Sequence, residues 1–265
     1  MKFAVNYSTP LKDLLNEGAV DVDLLKCPEW DGLVNAALPL RPVYVHFDIA
    51  LGINKIQSLN FDLIRRMFAT TDTRYLNVHL SNDTLVDPSS AFARKELLDR
   101  WKAEVAYLRE QFPDQKIIAE NLPWVDFLPQ LEIACDPDLI NELIEECDLG
   151  LLLDLSHAKM SSHLLGIDVD NYISRLPTKR LVEMHITGIR PYAGSLTDHF
   201  ELQPDNWPLV EWAHDQIKNG TWRTPEVVAF EYGGIGDVFC WRTRKDALRE
   251  QLPRLHRLFS DNHHA

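Results

Sequence analysis

The amino-acid sequence predicts a single (β/α)8 barrel of the TIM type, an α/β fold, and three observations lead there. Short β-branched or apolar runs alternate with helical patterns along the whole chain, which implies a parallel sheet with right-handed crossovers. Eight such runs can be counted, the number that closes a barrel. The length of 265 residues fits one such barrel, which needs about 250. The competing open, doubly wound sheet would carry a glycine-rich phosphate loop after its first strand. Here that turn reads Asn6-Tyr7-Ser8-Thr9-Pro10, without glycine.

The expected strands and helices follow in chain order. Phe3–Asn6 is the first strand, with a helix near Leu11–Asn16. Val20–Leu25 is the second, with a short helix near Asp31–Ala37. Pro42–His46 has the near-continuous apolar character of a buried parallel strand, and a helix near Phe61–Ala69 follows. After the fourth strand, Tyr75–Leu80, a long amphipathic stretch spans Ser90–Phe112, with Leu97, Leu98, Trp101, Val105 and Leu108 at helical spacing. The fifth strand is Lys116–Glu120; the next helix, Pro137–Glu146, opens with Asp136 as cap and Pro137 in its first turn. Gly150–Asp154 is the sixth strand, followed by a helix near Asp168–Arg175. The seventh strand, Leu181–Ile186, leads through a long loop, Gly188–Asn206, to a helix near Pro208–Lys218. Val227–Glu231 is the eighth strand, and a helix from about Thr243 to Phe259 closes the chain. Residues 1–260 are therefore expected to form one domain, with 261–265 a frayed tail.

Composition bounds the function. The formal charge is −13, from 27 basic and 40 acidic residues, a balance that argues against a nucleic-acid partner. Four cysteines, Cys27, Cys135, Cys147 and Cys240, form no C-x-x-C pair, so no zinc ribbon is indicated. There is no run of about 18 apolar residues for a membrane span and no signal-peptide pattern at the N-terminus. The expectation is a soluble cytoplasmic protein with reduced thiols.

The chemistry is carried by the strand ends. Strands three to eight end in or near His46, His79, Glu120, Asp154, His185 and Glu231. In a barrel these ends converge on one face, where catalytic residues sit. Burying the three carboxylates without countercharge would cost several kcal/mol each, by order of magnitude, and metal cations remove that penalty. His157 lies three residues after Asp154 and can serve the same site; Asp198 and His199 approach it from the loop after strand seven. Nine candidate ligands are too many for one tetrahedral ion. Two or three divalent ions are the economical reading, with Glu120 and Glu231 as bridges and Glu120, Asp154 and Glu231 as the catalytic carboxylates. Ligation rich in histidine and free of thiolate suits iron, zinc or manganese. Asn121, Lys26, Arg190 and Tyr192 are candidate substrate-binding residues on the same rim, beside Glu29.

The ordered set His46, His79, Glu120, Asp154-x-x-His157, His185, Asp198/His199 and Glu231 resembles that of the xylose-isomerase-like barrel superfamily, over essentially the whole chain. Two of its branches use a trinuclear site: the endonuclease IV phosphodiesterases and the multinuclear non-haem iron-dependent oxidases, which modify peptides in natural-product biosynthesis. Local strings are closer to the oxidases: Val45-His46-Phe47-Asp48-Ile49-Ala50-Leu51-Gly52, Asn77-Val78-His79-Leu80, Glu120-Asn121-Leu122-Pro123-Trp124, and Val182-Glu183-Met184-His185-Ile186-Thr187-Gly188. Asp198 and His199 are adjacent here, where these families place one residue between the pair.

The resemblance implies an iron- and O2-dependent oxidoreductase acting on a peptide or small metabolite, which a separate partner protein could recruit. A metal-dependent phosphoesterase and a sugar isomerase or epimerase are the alternatives. A non-enzymatic binding protein would leave the strand-end constellation without a purpose.

Overall fold

The computed structural model describes residues 1–234 and 240–260; the expected tail at 261–265 lies outside the described residues. Parallel strands curl into a barrel with helices outside, as the alternating pattern predicts. In order the strands are β1 (Lys2–Asn6), β2 (Leu24–Cys27), β3 (Val43–Val45), β4 (Ala50–Leu51), β5 (Tyr75–Leu80), β6 (Lys116–Glu120), β7 (Gly150–Asp154) and β8 (Leu181–Ile186). A two-stranded antiparallel hairpin follows, β9 (Gly188–Tyr192) and β10 (Ser195–Phe200), and then β11 (Val227–Phe230). The barrel sheet runs β3-β2-β1-β11-β8-β7-β6-β5-β4.

The eight expected barrel positions become nine strands because the third is broken. Its first half, β3, pairs with β2, and its second half, β4, pairs with β5. Between them the ladder is carried by a side chain. Asn77 on β5 accepts from the Phe47 N–H at 2.7 Å and donates to the Phe47 carbonyl at 2.9 Å. Both backbone groups of the gap are thereby satisfied, as buried ones must be. Gly52, just after β4, has φ +85° and sits so close to the Ser81 carbonyl that a Cβ would lie 2.1 Å from its oxygen.

The helices are α1 (Thr9–Asn16), α2 (Asp31–Ala37), α3 (Phe61–Thr70), α4 (Ala91–Gln111), α5 (Pro137–Glu146), α6 (Leu155–Leu165), α7 (Val169–Ser174), α8 (Trp207–Lys218) and α9 (Lys245–Phe259). Their starts are written locally. Ser8 caps α1, Ser90 caps α4, and Asp136 caps α5 with Pro137 behind it. The main core lies between strands and helices, around Phe3, Leu25, Trp101, Leu153 and Phe230.

Three expectations are corrected. The second strand occupies Leu24–Cys27, not Val20–Leu25. Val20 and Val22 are buried, which gives the segment its strand-like alternation, but the Val22 carbonyl accepts from Arg41 Nε instead of joining the ladder. Helix α6 falls where no helix was expected, because it is buried on nearly all sides, with Ser156, His157, Ser161 and Ser162 among its buried residues. Such a helix shows no amphipathic stripe. The loop after strand seven holds the hairpin β9–β10, whose first strand contains Pro191 and whose second is interrupted by a bulge.

Candidate metal centre

Side chains along a strand alternate faces, so a barrel interior is set by every second residue. His79, Glu120, Asp154 and His185 stand on neighbouring strands β5 to β8, with His79 opposite Glu120 and Asp154 opposite His185 in register. His46 follows β3 and Glu231 follows β11 by one residue.

Two ligand groups share Glu120, and a third, His46, Glu183 and His185, also has ligand atoms within 4.8 Å of one another. In the first, His46 Nε2 and His79 Nε2 lie 2.9 Å apart, and Glu120 Oε2 is 3.3 and 3.2 Å from them. In the second, His185 Nδ1 faces Glu120 Oε1 at 3.6 Å, Asp154 Oδ2 at 4.0 Å and Glu231 Oε2 at 3.4 Å. Each group offers atoms within 4.8 Å of one another, and Glu120 belongs to both. Ligand atoms around a tetrahedral ion with bonds of 2.0–2.2 Å are about 3.4 Å apart, a value that falls between the 2.9–3.3 Å of the first group and the 3.4–4.0 Å about His185 in the second.

The donor set fits a metal on a further count. Glu120 Oε2, Asp154 Oδ2 and His185 Nδ1 are buried without a hydrogen-bond partner, although such atoms are normally satisfied. Asp154 shows why: its Oδ1 caps α6 by accepting from the Ser156 and His157 N–H groups at 2.7 and 2.8 Å, which leaves Oδ2 aimed into the barrel. Burial would raise the Glu120 pKa, but His79, His185 and His46 outweigh it and hold the carboxyl well below its ordinary range. Burial, with Lys26 nearby, pushes His46 well below the usual histidine value. A neutral imidazole and an ionised carboxylate are the ligand forms a metal requires.

The remaining candidates divide. His157 Nε2 meets Asp198 Oδ2 at 3.0 Å, and its Nδ1 faces the Asn121 carbonyl at 2.9 Å. Burial lowers its pKa, but Asp154 and Asp198 more than compensate and raise it to about 10. His199 lies further out, 4.0 Å from Asp198 Oδ2. Adjacent residues of a strand should face opposite ways, yet both Asp198 and His199 serve this face. His199 adopts φ +59° at the bulge between Thr197 and Phe200, which cancels the alternation.

The four candidate substrate-binding residues sit in different surroundings. Lys26 is buried, its ammonium contacts Glu231 inside the centre, and it lines the cavity above the cluster. The Asn121 amide donates to the Asp154 carbonyl at 3.0 Å and accepts from the Asp154 N–H at 2.9 Å; it fixes strand β7 beside β6. Arg190 packs 3.8 Å over the Phe200 ring and pairs with Glu201, and Tyr192 packs on Trp241. Neither lines the cavity above the cluster, which has a volume of about 510 Å³ and is walled by Tyr7, Glu29, Trp30, Leu33 and Asp48.

Sequence reasoning missed Glu183 and Tyr44. Glu183 Oε1 accepts from His185 Nε2 at 2.8 Å and from the Tyr44 hydroxyl at 2.9 Å. This leaves Nδ1 of His185 available as a ligand atom and fixes the ring, as an outer carboxylate commonly does for a metal-bound histidine. The signal was present: Glu183 and Tyr44 each lie two residues before a candidate ligand histidine, hence on the same face.

Fold and cluster together define a xylose-isomerase-like barrel with a His/Asp/Glu centre at its C-terminal mouth. The family model described as RiPP precursor modification enzyme MbnB/TglH/ChrH matches residues 42–222, and the chain belongs to that family of enzymes. A UPF0276 protein of Acaryochloris marina is 22% identical over 211 residues, covering 76% of this chain and 70% of that one. A UPF0276 protein of Pseudomonas aeruginosa is 30% identical over 84 residues, 31% of this chain and 28% of its own. Among solved structures, a xylose isomerase domain containing protein from Salmonella typhimurium has a TM-score of 0.60 at 14% identity, covering 97% of both chains. A D-psicose 3-epimerase has 0.60 at 12%, covering 98% of this chain and 99% of that one. An AP endonuclease from Brucella melitensis has 0.57 at 15%, covering 93% and 96%. At such identities these structures show the fold alone.

Proposed function

We propose that this chain is an iron- and O2-dependent oxidase that modifies a ribosomally made precursor peptide. The observation that carries the reading is the pair of ligand groups joined through Glu120, in a chain whose family modifies such precursors. His46, His79 and Glu120 would hold one ion, and Glu120, Asp154, His185 and Glu231 a second. When bound, Fe(II) supplies the electrons with which O2 is reduced.

The chain's own residues orient and enclose. Glu183 and Tyr44 fix His185, Asn121 fixes Asp154, and the cavity between Trp30 and the cluster is large enough for a peptide side chain. The net charge of −13 disfavours a DNA substrate, which counts against an endonuclease form of the phosphoesterase reading. One domain over residues 1–260 and a place in the cytoplasm accord with this role. Among the described residues no helix is long and apolar enough to cross a membrane.

The test is anaerobic reconstitution with Fe(II), followed by air and a precursor peptide encoded beside the gene, read by peptide mass. The expected result is a mass change that needs both iron and O2. Equal conversion without O2, or with Zn(II) in place of iron, would overturn the oxidase reading.

A further inference from the structure

The interior of a (β/α)8 barrel is ordinarily a packed core, not a pore. Here it is incompletely filled. Below the candidate ligands, apolar side chains inside the barrel form two separate clusters, one around Leu24 and Tyr44 and one around Ile118 and Leu152. A cavity of about 410 Å³ is lined by Leu24 and Tyr44 from the first and Ile118 from the second. It opens at the N-terminal ends of the strands, beside Lys2, Arg74 and Val227, and reaches inward to His46 and Glu183. His46 also lines the cavity above the cluster, on the opposite side. The centre is thus approached from both ends of the barrel.

We propose that the lower cavity is a binding and entry site for a small, uncharged, apolar molecule, and that this molecule is the dioxygen of the oxidase reading, on which the inference rests. Leu24, Ile118, Val227 and the Tyr44 ring give the cavity apolar walls. Its mouth carries charges of both signs, and they answer one another: Lys2 lies 4.0 Å from Asp72, and Arg74 lies 3.5 Å from Glu226. That balance leaves no excess charge to draw in an ion. A peptide seated in the upper cavity would cover the centre from above, and His46 would remain open to the lower one.

The opening has a cause in the chain. Strands β3 and β4 are the two ends of the barrel sheet, so its wall has a seam at the broken third strand. Val45, Thr73 and Asn77 line the cavity along that seam. Side chains bridge it: the Val45 N–H donates to Thr73 Oγ1 at 2.8 Å, and Asn77 holds Phe47. A seam closed by side chains leaves room that a continuous strand would fill.

Crystals of the full chain under xenon pressure test the site, because dry apolar cavities take up xenon. Xenon should occupy the space between Leu24 and Ile118. Val227→Trp, at the mouth, and Leu24→Phe, in the wall, should each exclude it; the second serves should the first fail to fold. In Fe(II)-loaded protein with saturating precursor peptide, both plugs should lower kcat/KM for O2 several-fold. The KM for peptide and the metal content should stay as in wild type. Four results would each overturn the proposal and leave the oxidase reading standing: no xenon in the cavity, xenon unaffected by either plug, an unchanged O2 dependence in both variants, or a fall that only tracks lost metal. Turnover that needs no O2 would overturn the oxidase reading and the delivery role with it, whatever xenon shows.

Discussion

Glu183→Gln separates a positioning role from a structural one. The carboxylate accepts from His185 Nε2 at 2.8 Å and from the Tyr44 hydroxyl at 2.9 Å, with the His185 side chain fully buried. A hydrogen bond to a charged acceptor contributes about 1.5–3 kcal/mol and one to a neutral acceptor about 0.5–1.5. Glutamine keeps an acceptor oxygen of the same size, so the loss should be about 1–1.5 kcal/mol, roughly tenfold in affinity. That is the lower end of the roughly 10–100-fold effects of outer-sphere substitutions. Only the ion held by Glu120, Asp154, His185 and Glu231 should weaken; the one held by His46, His79 and Glu120 should not. Competition against a fluorescent chelator would resolve the two steps. The metal-free variant should melt at or above the wild-type temperature, because one carboxylate leaves a crowded acidic cluster. Unchanged affinity for both ions, or weakening that only tracks a lower metal-free melting temperature, would refute the reasoning.

Two further outcomes follow from the same geometry. Asn77→Ala strands the Phe47 N–H and carbonyl at the break in the third strand, at about 1–3 kcal/mol for each buried group. At about 2–4 °C per kcal/mol for a chain near this size, melting should fall on the order of ten degrees, and a shift under two degrees by calorimetry would contradict the bridging role. In metal-free protein the His157 pKa is raised from 6.5 to about 10, because Asp154 and Asp198 outweigh the effect of burial. The native state therefore binds the extra proton, and this stabilisation is complete below about 6.5 and lost as pH rises toward 10. Asp198→Asn should flatten that alkaline decline in melting temperature measured with chelator present; an unchanged slope would show that the pair does not control it.

Much of the fold could be read from sequence because the strands bury both faces and so run apolar, with caps such as Asp136 marking where helices begin. What escaped was written in non-local contacts. The β2 boundary depends on Arg41 capturing the Val22 carbonyl, and α6 carries no stripe because the barrel and hairpin cover it. At the centre, the strand-end residues were visible because each stands at a predicted terminus. Their partners Glu183, Tyr44 and Asn77 lie one step deeper, at positions that look like ordinary strand interior until the barrel closes. Arg190 and Tyr192 were expected at the rim because the hairpin was read as open loop. The pairing of β9 with β10 instead seats Arg190 on Phe200 and Tyr192 against Trp241.

Glu120→Gln tests the central claim most directly, since Glu120 is the residue common to both ligand groups. Glutamine preserves shape but removes the charge and one anionic oxygen, so the carboxylate can no longer link two ions. The account predicts loss of at least one metal equivalent by elemental analysis and of nearly all conversion of the precursor peptide. The circular dichroism spectrum should be unchanged, because barrel stability rests on the layers of side chains between strands and helices. Glu29→Gln, at the cavity mouth, should leave metal content as it is. Full metal content and wild-type conversion in Glu120→Gln would contradict the account.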